Sequence, residues 1–155
     1  MNKLVIATGS NIGDSVAILE SAKKLLVDQF GPCESSRIYC SSAVDYLDQP
    51  DFFNQVLLFE LPSKLGPQDV MTFLLETEKE LGRERKILRG PRTIDMDIIF
   101  FGDLSLNDAN LTLPHPRFLQ RSFVIRPMLE LSISEWLFKN FPIPEHFDTD
   151  ATPIS

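Results

Sequence analysis

A chain of 155 residues, 43% apolar and 24% charged, can build one compact domain whose core needs no disulfide or zinc staple. Its net charge of −7 argues against a general nucleic-acid binder. The two cysteines, Cys33 and Cys40, form no CxxC pair and have no histidine beside them, which reads as free thiols in a reducing compartment. The opening apolar run at residues 4–8 is too short for a signal peptide, and no apolar stretch reaches about 18 residues, so a cytoplasmic protein with no membrane span is expected.

KLVIATGS, residues 3–10, reads as a short buried strand. Residues 14–28 follow as a helix, with Val16, Leu19, Ala22, Leu25 and Leu26 at helical spacing and Asn11 or Asp14 as the cap. Gly31-Pro32 stops it. A second strand is predicted over 35–44, a turn in YLDQPD, and a third strand in FFNQVLLFEL. Gly66-Pro67 opens a second helix with proline at its first position. Its stripe is Val70, Phe73, Leu74, Thr77 and Leu81, and Gly82 closes it. A last strand covers 94–101, and Gly102-Asp103 is a turn. LTLPHPRF reads as irregular, SFVIRPMLEL as a short helix broken near Pro127, and residues 141–155 as a loosely held tail of a single domain spanning 1–140. This order is that of a ferredoxin-like βαββαβ core in the α+β class. It predicts a mostly antiparallel sheet with helices on one face, plus a C-terminal helical and irregular extension.

GPRTIDMDIIFFGD, residues 90–103, carries the chemistry. On a strand, Asp95 and Asp97 point to the same face, in a row continued by Ile99 and Phe101, while Ile94, Met96, Ile98 and Phe100 line the other. Two unpaired carboxylates at that spacing repel and resist desolvation. Either they lie on the solvent-facing half of an edge strand, or they hold hard cations such as Mg²⁺, which take oxygen ligands and complete their shell with phosphates and water. Two ions roughly 3.5–4 Å apart would suit an in-line phosphoryl displacement. Just before the pair, RERKILRGPR sets Arg83, Arg85, Lys86, Arg89 and Arg92 against Glu84 alone, a local charge of +4 on an acidic protein. That combination suggests a polyanion arriving with metal. Arg92, three residues before Asp95, is placed to grip a phosphate on the same metals.

Other segments have two readings. TGSNIGDS lacks the ending of a P-loop and is not GxGxxG; it reads as a strand-to-helix turn or as a support beside a ligand. His115, between two prolines and followed by Arg117 and Arg121, is either structural or a phosphate contact. Phe52, Phe53 and Phe123 are core residues by default. An aromatic beside an amide, as in Phe52-Phe53-Asn54, can also stack on a flat heterocycle and read its edge.

GPRTIDMDII resembles the signature of the 6-hydroxymethyl-7,8-dihydropterin pyrophosphokinases of the folate pathway. So do Gly9-Ser10-Asn11, the Phe52-Phe53-Asn54 that follows Gln-Pro-Asp, Gly82-Arg83-Glu84-Arg85, Pro114-His115 and Arg121-Ser122-Phe123. Order and spacing agree from about residue 4 to residue 130. The resemblance implies transfer of pyrophosphate from ATP to the hydroxymethyl group of a reduced pterin, with AMP released. It implies that Asp95 and Asp97 hold two ATP-bridged Mg²⁺ ions, and that Arg83, Arg92, Asp95 and Asp97 are the catalytic set. Arg83, Arg85, Arg92, Ile98, Thr112, His115 and Arg121 would contact the nucleotide, with Arg83 and Arg85 on a mobile loop. The pterin would lie between Phe52 and Phe123, read by Asn54, with Ser41, Ser42, Val44 and Asp95 completing its site. The implied partners are these small molecules, with no nucleic acid and no membrane.

The chain departs from the family at Arg89, where many members carry Trp, at Ser41-Ser42 in the pterin loop, and at Asn110, often an arginine. The loop at 82–90 is also slightly short. Weaker or differently ordered binding is expected from these changes, not a different reaction. A metal-dependent nucleotidyltransferase is the nearest rival, but its Gly-Ser would lie near the acids, whereas about 80 residues separate Gly9-Ser10 from Asp95. A non-catalytic ligand-binding module would have no need of GPR beside two carboxylates.

Overall fold

The computed structural model describes residues 1–42, 48–83 and 92–154; the sequence expectations for Val44, Arg85 and Arg89 lie outside them. The central sheet begins with β1 (Lys3–Ser10). Helix α1 (Ser15–Phe30) follows, capped by Asp14, whose Oδ1 accepts from the Ala17 N–H at 3.2 Å, and ended at Gly31. The single strand expected over 35–44 is instead two short ones, β2 (Cys33–Ser35) and β3 (Tyr39–Ser41), both antiparallel to β4 (Phe52–Glu60). Buried Ser36 explains the break. Its Oγ accepts from the Val56 N–H at 3.0 Å, so a side chain takes over the pairing where the chain leaves the ladder.

Helix α2 (Pro67–Glu80) starts on Gly66, with Asp69 Oδ2 accepting from the Gly66 N–H at 2.9 Å. Strand β5 (Asp95–Phe101) then pairs with β1. The sheet order β5-β1-β4-β3, with β2 also on β4, is the ferredoxin-like arrangement, antiparallel at every one of these pairings. Two short strands, β6 (Leu106–Asn107) and β7 (Thr112–Leu113), form a separate hairpin, the second of them inside the LTLPHPRF stretch expected to be irregular.

The β1–β5 register shifts between Val5 and Ile6, so that Ile6 faces Ile98 and Val5 faces Phe100. A bulge at Ile99 therefore breaks the expected alternation. Ile94, Met96 and Ile98 join the core under α1 and α2, but so does Phe101, while Ile99 and Phe100 turn to the opposite core. Asp95, Asp97 and Ile99 keep their row; the two phenylalanines exchange faces. The opposite core is covered by α3 (Ser122–Met128) and α4 (Ser134–Asn140), packed on Val5, Val56, Leu58 and Phe100. Helices thus cover both faces, the second by way of the extension. Phe100, Phe118, Trp136 and Phe141 meet there with ring centroids 5.1–5.6 Å apart, mostly edge to face.

The tail is not loosely held. Phe141, Ile143 and Phe147 pack on the second core, Ala151 is buried, and β8 (Thr152–Pro153) adds an outer strand to β3. Apolar side chains at alternate positions gave it a face to bury, which its proline and aspartate content obscured. Among the described residues no helix is long and apolar enough to cross a membrane.

Candidate active site

Strand register brings the sequence-separated candidates to one end of the sheet. Gly9 lies opposite Asn54 on one side and opposite Asp95 on the other, so β4, β1 and β5 present an amide, a bare backbone and a carboxylate in a row. A Cβ on Gly9 would sit 2.5 Å from Asn54 Nδ2, far inside contact distance. Glycine is needed there to let the Asn54 amide lie across the strand. Ser41 Oγ donates to Asn54 Oδ1 at 3.5 Å, and Ser42 is exposed.

Guanidinium groups surround the aspartates. Asp95 Oδ1 accepts from Arg83 Nη1 at 2.9 Å and its Oδ2 from Arg92 Nη1 at 3.1 Å, while Arg121 Nη1 stands 3.8 Å from Asp97 Oδ2. Burial, reinforced by the negative charge of Asp95, pushes the Asp97 carboxyl up to about 7 against the pull of Arg121. A carboxyl held so far above its ordinary range marks a place that calls for positive charge. Among the described residues no three His, Cys, Asp or Glu side chains gather as a metal cage. Two carboxylates alone suit a hard cation that takes most of its ligands from phosphates and water. The donor set fits Mg²⁺.

Arg92 and Arg121 also face the aromatics. The Arg92 guanidinium carbon lies 5.1 Å from the Phe52 ring centre and that of Arg121 lies 5.5 Å from Phe123. Each arginine thus links a carboxylate to an aromatic face. Phe53 goes the other way, into the core under the helices.

Beyond the free edge of β5 lies a cavity of about 360 Å³, walled by Leu74 and Glu78 of α2, by Asp97 and Ile98, and by Thr112 and His115. The Met96 N–H points to this edge and donates to Glu78 Oε2 at 2.8 Å; by strand alternation the Ile98 backbone faces the same way. The His115 N–H donates to the Ile99 carbonyl at 2.9 Å, fixing the histidine on the rim. Its Nδ1 accepts from the Arg117 N–H at 3.1 Å, which leaves Nε2 to carry the proton. Burial, then Arg121 and Arg117, lower its pKa to about 4, so the ring is neutral near pH 7. Asn110 is exposed on the same cavity wall.

Two residues were missed as site components. Glu78, nearly buried, binds Arg83 Nη1 at 2.9 Å besides holding Met96. Its signal was a carboxylate on the apolar stripe, four residues after Leu74. The Arg83 Nε is buried with no hydrogen-bond partner among the described residues, so this guanidinium is incompletely satisfied as it stands. Asn11, read only as a cap or support, ties two segments together. Its Oδ1 accepts from the Arg92 N–H at 2.9 Å, and its Nδ2 donates to Gln49 Oε1 at 2.9 Å and to the Pro50 carbonyl at 3.0 Å.

Residues 5–133 match the family model described as 7,8-dihydro-6-hydroxymethylpterin-pyrophosphokinase (HPPK). The chain is similar to the folic acid synthesis protein fol1 of Pneumocystis carinii, 39% identical over 128 residues that make up 82% of this chain and 17% of that protein. It is similar to the bifunctional protein FolKE of Lactococcus lactis subsp. cremoris, 35% identical over 89% of this chain and 40% of that protein. The 2-amino-4-hydroxy-6-hydroxymethyldihydropteridine pyrophosphokinase of Bacillus subtilis is 37% identical over 84% of this chain and 79% of its own length. The chain therefore spans less than half of the first two relatives and most of the third. A solved HPPK-DHPS structure in complex with substrates has the same fold, with a TM-score of 0.61 at 12% identity over 84% of this chain and 40% of that one. From the match over residues 5–133, the chain belongs to the 7,8-dihydro-6-hydroxymethylpterin-pyrophosphokinase (HPPK) family.

Proposed function

We propose that the chain transfers pyrophosphate from ATP to the hydroxymethyl group of 6-hydroxymethyl-7,8-dihydropterin, releasing AMP, as a step of folate biosynthesis. The observation that carries this is the Asp95–Asp97 pair set between three arginines, with Phe52 and Asn54 on one flank and the β5-edge cavity on the other. In this reading Asp95 and Asp97 are the residues that would hold two Mg²⁺ ions arriving with ATP. Bound there, the ions would supply charge neutralisation and alignment for in-line displacement. The adenine enters the cavity against the Ile98 edge and Thr112. Arg83, Arg92 and Arg121 take the phosphates as planar forks, and neutral His115 donates Nε2–H to them. The pterin stacks between Phe52 and Phe123, with Asn54, Ser41 and Ser42 on its polar edges.

The chemistry then needs position more than a covalent partner. The substrate hydroxyl oxygen bonds to the β-phosphorus and gives up its proton to a phosphate oxygen or to water, the bond from that phosphorus to the α–β bridging oxygen breaks, and AMP leaves with that oxygen. Arg83 would exchange Glu78 and Asp95 for phosphate oxygens, which would satisfy its orphaned Nε.

Product analysis by ion-exchange chromatography, with ATP, Mg²⁺ and the reduced pterin, tests the reading. AMP and a diphosphorylated pterin, both lost when metal or pterin is omitted, are expected. Release of pyrophosphate with AMP transferred would make the chain a nucleotidyltransferase. Nucleotide affinity indifferent to Mg²⁺, without turnover, would make it a binding module.

Gly9→Ala tests the pterin side separately. The added methyl must displace the Asn54 amide, so pterin affinity should fall on the order of tenfold or more while ATP affinity holds, as read by calorimetry with each ligand. Equal affinities for both chains would remove Asn54 from the pterin site.

A further inference from the structure

The C-terminal strap lies beyond the segment that matches the family, yet it touches both walls of the proposed pterin site. On one side β8 pairs with β3, Thr152 opposite Cys40 and Pro153 opposite Tyr39, and the Ile154 N–H donates to the Ile38 carbonyl at 3.0 Å. The next residues of β3 and its exit are Ser41 and Ser42. On the other side the strap is fastened to the start of α3, where Arg121 and Phe123 flank Ser122. Ser122 Oγ donates to the Thr149 carbonyl at 2.9 Å and accepts from the Ala151 N–H at 2.9 Å. One turn on, Arg126 Nε and Nη2 grip the Asp150 carboxylate at 3.0 and 3.1 Å, and Nη2 also donates to the Glu145 carbonyl at 2.9 Å. The Arg126 guanidinium carbon lies 5.2 Å from the Phe147 ring centre.

These bonds do more than cover a surface. Ser122 is 3% exposed, so its hydroxyl is committed to the strap and to nothing in the core. Helix α3 has no side-chain cap of its own, and its seven residues are too few to hold a first turn by propensity alone. The sheet-side partner, β3, is only three residues long and has β8 as its outer neighbour. Two short elements that carry opposite sides of one pocket are thus bridged by the same ten residues of chain, through a bidentate charge-assisted pair and a two-way hydroxyl.

We infer that the strap at residues 145–154 is a positioning element for the pterin pocket, with Ser122 and Arg126 as its positioning residues. It holds Phe123 in register with Ser41 and Asn54, and none of its residues touches substrate. The inference rests on the proposed placement of the pterin between Phe52 and Phe123.

The test uses the full chain with Ser122→Ala, Asp150→Ala and the charge-swapped pair Arg126→Asp with Asp150→Arg. Hydrogen–deuterium exchange is read without ligand. Both single variants should exchange faster in two separate segments, 38–42 and 121–126, with α1 and α2 unchanged. Calorimetry should show reduced-pterin affinity, measured with a non-hydrolysable ATP analogue present, down about tenfold in both. Affinity for the Mg²⁺–analogue complex should change less than twofold, and the swapped pair should recover most of the loss relative to Asp150→Ala. Faster exchange confined to residues 145–154, or equal loss of both ligands, would overturn the inference. If the parent chain binds no reduced pterin, the substrate assignment fails by itself, and the exchange pattern still decides whether the strap couples the two walls.

Discussion

An Asp97→Asn chain is expected to fold, to lose roughly 10³-fold in turnover, and to be more stable than the parent at pH 8 when no metal is present. The loss follows from removing one of two carboxylates that the donor set offers a cation. The stability gain follows from the cost that the parent carries. In the metal-free protein the Asp97 carboxyl is raised to about 7 by burial and then by Asp95, against about 3.9 when unfolded. Between those values the folded chain holds a proton that the unfolded chain has released, so the parent loses stability as pH rises and levels off above about 7. Asparagine has no such proton. Melts of the two chains in a chelator should therefore diverge from pH 4 to 7 in favour of the variant and run parallel above. Curves parallel throughout would mean that Asp97 does not bear the strain assigned to it. On the proposed role of Asp97 as a Mg²⁺ ligand, the cation would compete with a proton there, so ATP–Mg²⁺ affinity should rise with pH up to about 7 and then flatten.

Arg92→Ala should cost on the order of 10³-fold in kcat, the low end of what a charge-stabilising arginine contributes to phosphoryl transfer. Arg92→Lys should recover little of it. The reason is geometric. Arg92 reaches Asp95 Oδ2 through Nη1 and lies over the Phe52 ring, contacts that depend on a flat fork and that a point charge on a flexible stem does not reproduce. Its backbone N–H remains bonded to Asn11 Oδ1 in either variant, so the chain entering β5 keeps its path and melting points should move by no more than about 1 kcal/mol equivalent. Steady-state kinetics with both substrates, set beside thermal melts, separates the effects. A lysine variant with near-parental kcat would reduce Arg92 to a local positive charge.

Much was readable from residue order because it rests on local rules. Proline at the start of α2, Asp14 ahead of α1, and Gly31 and Gly82 after these two helices set boundaries that neighbouring residues alone determine. The aspartate row depends on a period of two, which holds from Asp95 to Ile99. The period could not reveal the bulge at Ile99, because the extra residue in β5 is defined only by its pairing with β1, where Val5 and Ile6 face Phe100 and Ile98. The split of the second strand at Ser36 depends likewise on the Val56 N–H, 20 residues away.

By itself the sequence determined the order of the βαββαβ core elements, the α+β class and which residue types could serve a phosphate and a flat ring, since capping, alternation and side-chain chemistry act over a few residues. Only the tertiary structure decided that Gly9 makes room for Asn54, that Glu78 and Asn11 brace the arginines, and that the tail closes on β3 and α3. Each of those is a contact between segments distant in the chain, fixed by register and shared burial, and no local pattern encodes such a meeting.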